Sequence, residues 1–444
     1  MMIFIFLALT LVFIVVATAK FNIHPLFTLI IAAIAMGFML GFDGNTVLTK
    51  ISEGFGKTLS SIGIIIAFGT TIGIFLEKSG STRVMADTIL KWVGINRSAL
   101  AMNLTGFVIS IPVFCDSGFV ILSSLNKALS KKTGLSLVVF AVSLAAGLYA
   151  THVFVPPTPG PLAAAAVLEA NLGLVMILGL VVAVPVSLVG YVWANYIGKK
   201  INIVPKEHNE INERSEQVKK PAPSARAAFA PLIIPIVLIA MKSVADYPTH
   251  PFGEGTMYHI LDFIGNPIIA LLIGVGFAFN LARNVIRKTQ FDWVVLALKD
   301  AGIIILVTGA GGAFGNVLRA SDIGSMIGDD TALLKTGLLM AFLIAAVLKS
   351  AQGSSTVSII TTAAIIAPLL ASAGLDSTIG KALAVLAIGA GAMTVSHVND
   401  SYFWVVAQFS DMDVKTALRS QTISTFFQGL TGLIIILLIY GIFG

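Results

Sequence analysis

The chain has 444 residues, 57% of them hydrophobic and 11% charged, with a mean hydropathy of +0.95. Soluble domains carry about 25% charged residues, so the composition excludes an ordinary soluble protein and places the chain in the membrane class. The net charge of +6 is no nucleic-acid signature, because the excess lies in loops, where it reports orientation.

In chain order, apolar segments fall near 2–19, 23–42, 59–77, 98–113, 117–126, 134–151, 160–168, 172–197, 228–242, 264–282, 300–318, 335–349, 354–372, 381–396, 402–409 and 423–443. Residues 1–19 lack a basic n-region and a small-residue cleavage site, and read as a retained helix. A spanning helix needs roughly 20 mainly apolar residues. The pieces at 117–126, 160–168 and 402–409 are too short, and read as half-helices or re-entrant arms. The expected fold is an all-α polytopic membrane protein of about 11–14 membrane segments. The single cysteine, Cys115, cannot form an internal disulfide.

The stretch "KKINIVPKEHNEINERSEQVKKPAPSARAA", 199–228, is a polar linker dividing a first membrane half, 1–198, from a second, 229–444. Its lysines and arginines place it in the cytoplasm. The loop at 78–97 (Lys78, Arg83, Lys91, Arg97) and the stretch "RNVIRK", 283–288, also read as inside. The loops at 243–262 and 319–334 are acidic and read as outside. "IIIAFG", 64–69, aligns with "IILVTG", 304–309, and "LEKSGSTRVMAD", 76–87, with "LRASDIGSMIGD", 318–329. The first of these loops is basic and the second acidic, so equivalent loops lie on opposite sides, as inverted-topology repeats require.

Each half carries two polar islands in matching order. The first has "PVFCDSGF", 112–119, and "THVFVPPTPGP", 151–161; the second has "SAQGSSTVS", 350–358, and "SHVNDSYFW", 396–404. Pro156, Pro157, Pro159 and Pro161 cannot lie inside a continuous helix. Irregular backbone at membrane depth is tolerated where it is buried in protein or lines a wet cavity. Residues 152–161 are therefore expected to be an unwound break. A hairpin is expected near 98–127 with its tip at Asp116-Ser117-Gly118, and another near 335–372 with its tip at Gly353-Ser354-Ser355-Thr356. Broken helices are expected over 134–168 and 381–409.

Half-helices beginning at Ser117, Ser354 or Pro161 would point free N–H groups and a positive dipole end at a carboxylate. No Arg or Lys lies inside the islands, and Lys349 sits at the edge of one; binding by helix ends fits that pattern. Asp116 is either a helix cap or a coupling group, since ionisable groups at membrane depth are functional by default. His152 and His397 either satisfy broken-backbone carbonyls or take up a proton near neutral pH. Asp400 could hold the tautomer of His397 or share its proton. Asn399 reads as a ligand or backbone patch, Phe403 and Trp404 as core packing, and Glu169 as the surface end of a half-helix. "GAGGAFG", 309–315, lacks the strand and Lys of a phosphate-binding loop and reads as a close-packed glycine face. No nucleophile–base set or metal-ligand cluster points to an enzyme, and no cofactor is called for.

"THVFVPPTPGP", "GSSTVSIITT", "SHVNDSYFW", "GAGGAFGNVL" and "IPVFCDSGFVIL" together resemble the gluconate permease family of proton symporters, within the broader ion transporter superfamily. They stand in family order across the whole chain. The resemblance implies a symporter of the bacterial inner membrane for gluconate and similar sugar acids. It also implies a homodimer in which a scaffold carries a moving transport domain with two hairpins and two broken helices. The implied partners are a small sugar acid, protons and membrane lipid, with no nucleic acid. On that reading the substrate meets Ser117, Gly118, Thr151, Thr158, Gly160, Gly353, Ser354, Ser355, Thr356 and Asn399, and the coupling proton meets Asp116, His152, His397 or Asp400. Two departures leave the substrate open. Cys115-Asp116 stands where gluconate carriers often have an aromatic-acidic pair, and Thr158 replaces the histidine of "PPHPGP". Relatives also carry glycerate or serine, and sodium coupling through Ser354–Thr356 is the alternative.

Overall fold

The computed structural model describes residues 2–21, 23–205, 223–245, 255–320, 337–398 and 400–443. Asn399, residues 206–222 of the linker and residues 246–254 and 321–336 of the two acidic loops and their flanks lie outside the described residues. Among the described residues the regular structure is entirely helical.

The first half runs α1 (Met2–Ala19), α2 (Pro25–Met39), α3 (Gly44–Lys78), α4 (Ser81–Val93), α5 (Ser98–Ile109), α6 (Cys115–Thr133), α7 (Leu137–Phe154), α8 (Pro159–Val167) and α9 (Leu172–Lys200). The second runs α10 (Ala225–Ala245), α11 (Thr256–Ile264), α12 (Pro267–Leu281), α13 (Arg287–Arg319), α14 (Gly337–Gln352), α15 (Ser355–Ile366), α16 (Thr378–Met393) and α17 (Ser401–Phe409). The last helix, α18 (Val414–Phe443), contains a π-helical turn at Leu418–Thr422. Five helices among the described residues are long and apolar enough to cross a membrane, and up to seven if each of two bent pairs is one span. The larger number expected from sequence is approached by adding short apolar helices such as Pro25–Met39 and Thr378–Met393.

The glycine face packs as read. A methyl at Gly312 would overlap Thr58 and the Gly54 carbonyl, and one at Gly309 would overlap Leu59 and Phe55. Helices α3 and α13 therefore approach backbone to backbone, the close packing that small residues permit in membranes. Asn316 Nδ2 donates to the Lys50 carbonyl at 2.8 Å across this contact.

The centre is built on α7, whose every residue is buried. A helix apolar all round belongs in a core. Side chains at Gly147, Gly179 and Gly389 would strike backbone of α5 or α7 (Asn103, Phe154 and Val153). Asn103 Nδ2 donates to the Ser143 carbonyl at 2.9 Å, and Ser187 Oγ donates to Asn103 Oδ1 at 2.8 Å, which ties α5, α7 and α9 together.

Each half contains a helix pair joined by a short turn (α5–α6, α14–α15), then a pair separated by a short break (α7–α8, α16–α17). The contacts cross between halves: α15 packs on α8, and α17 packs on α6. The first break is narrower than expected. His152 stays in α7, and Pro159, Gly160 and Pro161 open α8, leaving residues 155–158 outside helix. Proline suits a first turn because its missing N–H has no intrahelical partner there.

Candidate substrate and coupling site

The second break is the more unusual backbone. Val395 has φ +58°, a left-handed conformation that is an outlier for a β-branched residue. Its neighbours are clamped by α18: the Ser396 N–H donates to Thr425 Oγ1 at 3.0 Å, and Thr422 Oγ1 donates to the Ser396 carbonyl at 2.5 Å. Strain of this kind persists where surroundings over-determine it, often at functional positions.

This clamp delivers Asp400 to the centre. It caps α17, its Oδ1 accepting the Tyr402 N–H at 3.0 Å. Its Oδ2 accepts from Ser396 Oγ and lies 2.5 Å from Lys349 Nζ. Both side chains are buried, Lys349 at 1% relative exposure. The lysine also donates to the Gly353 carbonyl and stands 6.0 Å from the centroid of the Tyr149 ring. Gly353 closes α14 with φ +83°, which suits glycine alone, and Ser354 caps α15 by accepting the Val357 N–H at 3.3 Å. Ser358 Oγ then pins the two arms by donating to the Ala345 carbonyl at 2.7 Å.

The islands hold no cation in sequence, and the fold supplies one from the edge of the third. Lys349 is inside the site, brought there because α14 ends one turn beyond it. A buried charge needs a partner and further hydrogen bonds, and Asp400, Gly353 and the tyrosine face supply them. The expected Asp400–His397 partnership is likewise replaced. The Asp400 carboxylate is taken by Lys349, Ser396 and the α17 N-terminus, while His397 Nε2 lies 3.1 Å from the Ser350 carbonyl.

Two tyrosines sew the halves together. Tyr149 Oη donates to the Ala392 carbonyl at 3.4 Å, and Tyr402 Oη donates to the Ala145 carbonyl at 3.1 Å. Their ring centroids are 5.2 Å apart. His152 is buried between Tyr149 and Phe114, with Nδ1 unpartnered. Asp116 lies in the first turn of α6, which has no side-chain cap, and its Oδ1 is buried and unpartnered. Asp116 is not itself the cap, since Phe114 holds that position. It lies within electrostatic reach of both Lys349 and Asp400.

The remaining expected residues divide. Ser117 is half-buried beside Asp116, and Ser355 and Thr356 open α15. Gly160 lies on α8 where a methyl would stand 2.8 Å from Ile359 Cδ1 of α15, and Gly118 faces Leu148 of α7; both are contact points between arms. Thr151 and Thr158 are buried and donate to carbonyls of their own segment, Thr158 Oγ1 to Val155 at 2.5 Å. The residues that sequence reading missed are Lys349, Tyr149 and Tyr402. Lys349 had a signal: it is the sole Lys or Arg between Lys335 and Lys381.

Of the four half-helix N-termini, α15 and α17 are capped by Ser354 and Asp400, while α6 and α8 have no side-chain cap. The arrangement brings two uncapped helix N-termini, a buried lysine and two acidic side chains to the centre of the molecule.

A family model described as GntP family permease matches residues 2–442. The chain belongs to this permease family. A gluconate permease of Pseudomonas aeruginosa is 33% identical over 97% of this chain and 96% of its own length. The D-serine transporter DsdX of Escherichia coli K12 is 31% identical over 96% of each chain. Among solved structures, the YdaH transporter of Alcanivorax borkumensis, reported to have an unusual topology, superposes with a TM-score of 0.64 over 95% of this chain and 99% of that one, at 11% identity; that likeness shows the fold. The protein is thus a multi-pass membrane transporter and not an enzyme.

Proposed function

We propose that this permease imports gluconate or a similar hydroxylated monocarboxylate across the bacterial inner membrane by proton symport. The observation that carries the reading is the buried Lys349–Asp400 pair at the junction of α14, α15, α16 and α17, facing Asp116 of the other half.

With Asp400 ionised, its charge neutralises Lys349 and the lysine is not free for substrate. A proton added to the Asp400 carboxylate leaves Lys349 as an unmatched ammonium. A substrate carboxylate then takes the place of Asp400 on Lys349 and on the uncapped N-termini of α6 and α8. The hydroxyls of Ser117, Ser355 and Thr356 suit the hydroxyls of a sugar acid. The doubly loaded site is nearly neutral, which lowers the cost of moving it past apolar surroundings. In this scheme α5–α8 and α14–α17 form the moving part, and α2, α3, α12 and α13 belong to the scaffold. The loop charges support inverted repeats with the linker inside, and the family resemblance supports a homodimer.

A second substrate class has its own support. Asp116 Oδ1 is buried without a partner, a position that suits the ammonium of a hydroxy amino acid, and a D-serine transporter is among the relatives. Uptake of labelled gluconate into proteoliposomes, with glycerate and D-serine as competitors, ranks the two classes. Gluconate accumulation that collapses with an uncoupler is the expected result. Accumulation on a sodium gradient alone would move the coupling role to Ser354–Thr356.

A further inference from the structure

A cavity of about 480 Å³ is lined by neither Lys349 nor Asp400. It lies at the far end of α8, about 12 Å along that half-helix from the break at 1.5 Å per residue. Its walls include Leu162 and Ala166 of α8, Thr58 and Ser61 of α3, and Gly315 and Asn316 of α13. Three charged residues stand at it: Lys57, Glu169 and Arg319.

Glu169 follows α8 with φ +53°, in a place where a helix end ordinarily carries glycine. Its Oε1 accepts from Lys57 Nζ at 2.7 Å and lies 3.6 Å from Arg319 Nη1. Arg319 also donates to the Val167 carbonyl at 2.5 Å. Lys381 lies within electrostatic reach of the same carboxylate. One carboxylate is therefore surrounded by two ion-paired cations and a third nearby, leaving net positive charge at a cavity large enough for a small molecule. The protein's own glutamate shows how a carboxylate sits there.

We propose that this cavity is a recruitment site for the carboxylate of the transported substrate, in which Lys57 and Arg319 take the substrate's carboxylate in exchange for that of Glu169. Thr58, Ser61 and Asn316 offer hydroxyl and amide groups for the rest of a hydroxy acid. The inference rests on the reading that the cargo is a hydroxylated monocarboxylate. On the loop-charge orientation the cavity faces outside, so an imported substrate meets it before the central site.

The test uses gluconate as the probe, the full-length chain in proteoliposomes, and two readouts. The first is uptake kinetics of the wild type and Lys57→Gln. Lys57 is 70% exposed at its side chain, so its loss leaves the fold intact, and Arg319 is spared because it also holds the end of α8. The expected result is a KM raised about 5–10-fold with kcat unchanged, equivalent to about 1–1.4 kcal/mol by the tenfold-per-1.4 rule, and a gap that narrows with added salt. The second readout is labelling of Ser61→Cys by a charged membrane-impermeant thiol reagent; Cys115 is buried. Gluconate is expected to slow that labelling, and Lys57→Gln to abolish the protection. Uptake by the wild type with an unchanged KM in Lys57→Gln and no protection of Ser61→Cys overturns the recruitment site and leaves the transport reading standing. Protection that depends on Lys57 in a protein that takes up no gluconate upholds the site and overturns the transport reading.

Discussion

At the scale of single residues, the account turns on charges that have no water to fall back on. Removing one partner of a buried ion pair costs about 3–5 kcal/mol, because the other charge is stranded. Lys349→Met is therefore expected to lower thermal stability in detergent strongly. The double variant Lys349→Met with Asp400→Asn should regain most of that loss, and paired melting curves check it. Asp400→Asn alone has a separate use. Asparagine caps helices about as well as aspartate, so the bond to the Tyr402 N–H survives while the carboxylate is gone. Glu169 sits outside the spanning helices, and the hydrogen bond from Lys57 holds its carboxyl below the usual glutamate range, with the charges of Lys57, Arg319 and Lys381 adding to the shift. A depressed pKa contributes stability that is present above the unfolded value and is lost as pH falls through the folded one. The melting temperature of wild type relative to Glu169→Gln should stay constant from neutral pH down to about 5 and then shrink as the pH falls further below the ordinary glutamate value of about 4.3; a gap that widens in acid would contradict the pairing.

At the scale of elements, most of what positions the site was legible in the sequence. The hairpin tips at 116–118 and 353–356 and the short pieces at 160–168 and 402–409 stand near the observed turns and half-helices, because proline, glycine and hydroxyl residues in an apolar run have few other places to go. The extent of the first break was overread: prolines that bar a helix interior are welcome in its first turn, so only 155–158 are non-helical. The ion pair was not legible as a pair. Lys349 and Asp400 stand far apart in sequence, and their meeting depends on where α14 ends and on how α18 clamps Ser396. Gly353 is the joint whose chemistry is most constrained. Gly353→Ala is expected to cost about 1–2 kcal/mol for its left-handed conformation and to slow uptake, because the Gly353 carbonyl also holds Lys349. A variant with normal melting and normal uptake would show that this turn relaxes without consequence.

At the scale of the whole molecule, the reciprocal contacts of α15 with α8 and α17 with α6 mean that neither half completes the centre alone. Tyr149 and Tyr402 cross between the same two halves, so the site is formed by the fold and not by any one segment. The family membership fixes the class of protein; it leaves cargo and coupling to the chemistry of the site. The same scale carries the proposed homodimer, which native mass spectrometry of the lipid-bound protein checks, with a mass of twice 46.6 kDa expected beyond bound lipid.

The most direct test of the central claim compares accumulation with exchange in Asp400→Asn. Proteoliposomes are given an inward proton gradient and labelled gluconate, and are then preloaded with unlabelled gluconate with no gradient. The account predicts that accumulation against a concentration gradient is lost while exchange persists, since the variant still frees Lys349 for the substrate but can no longer carry the proton. Proton-driven accumulation equal to wild type in Asp400→Asn would contradict it and remove the Lys349–Asp400 pair from the coupling step.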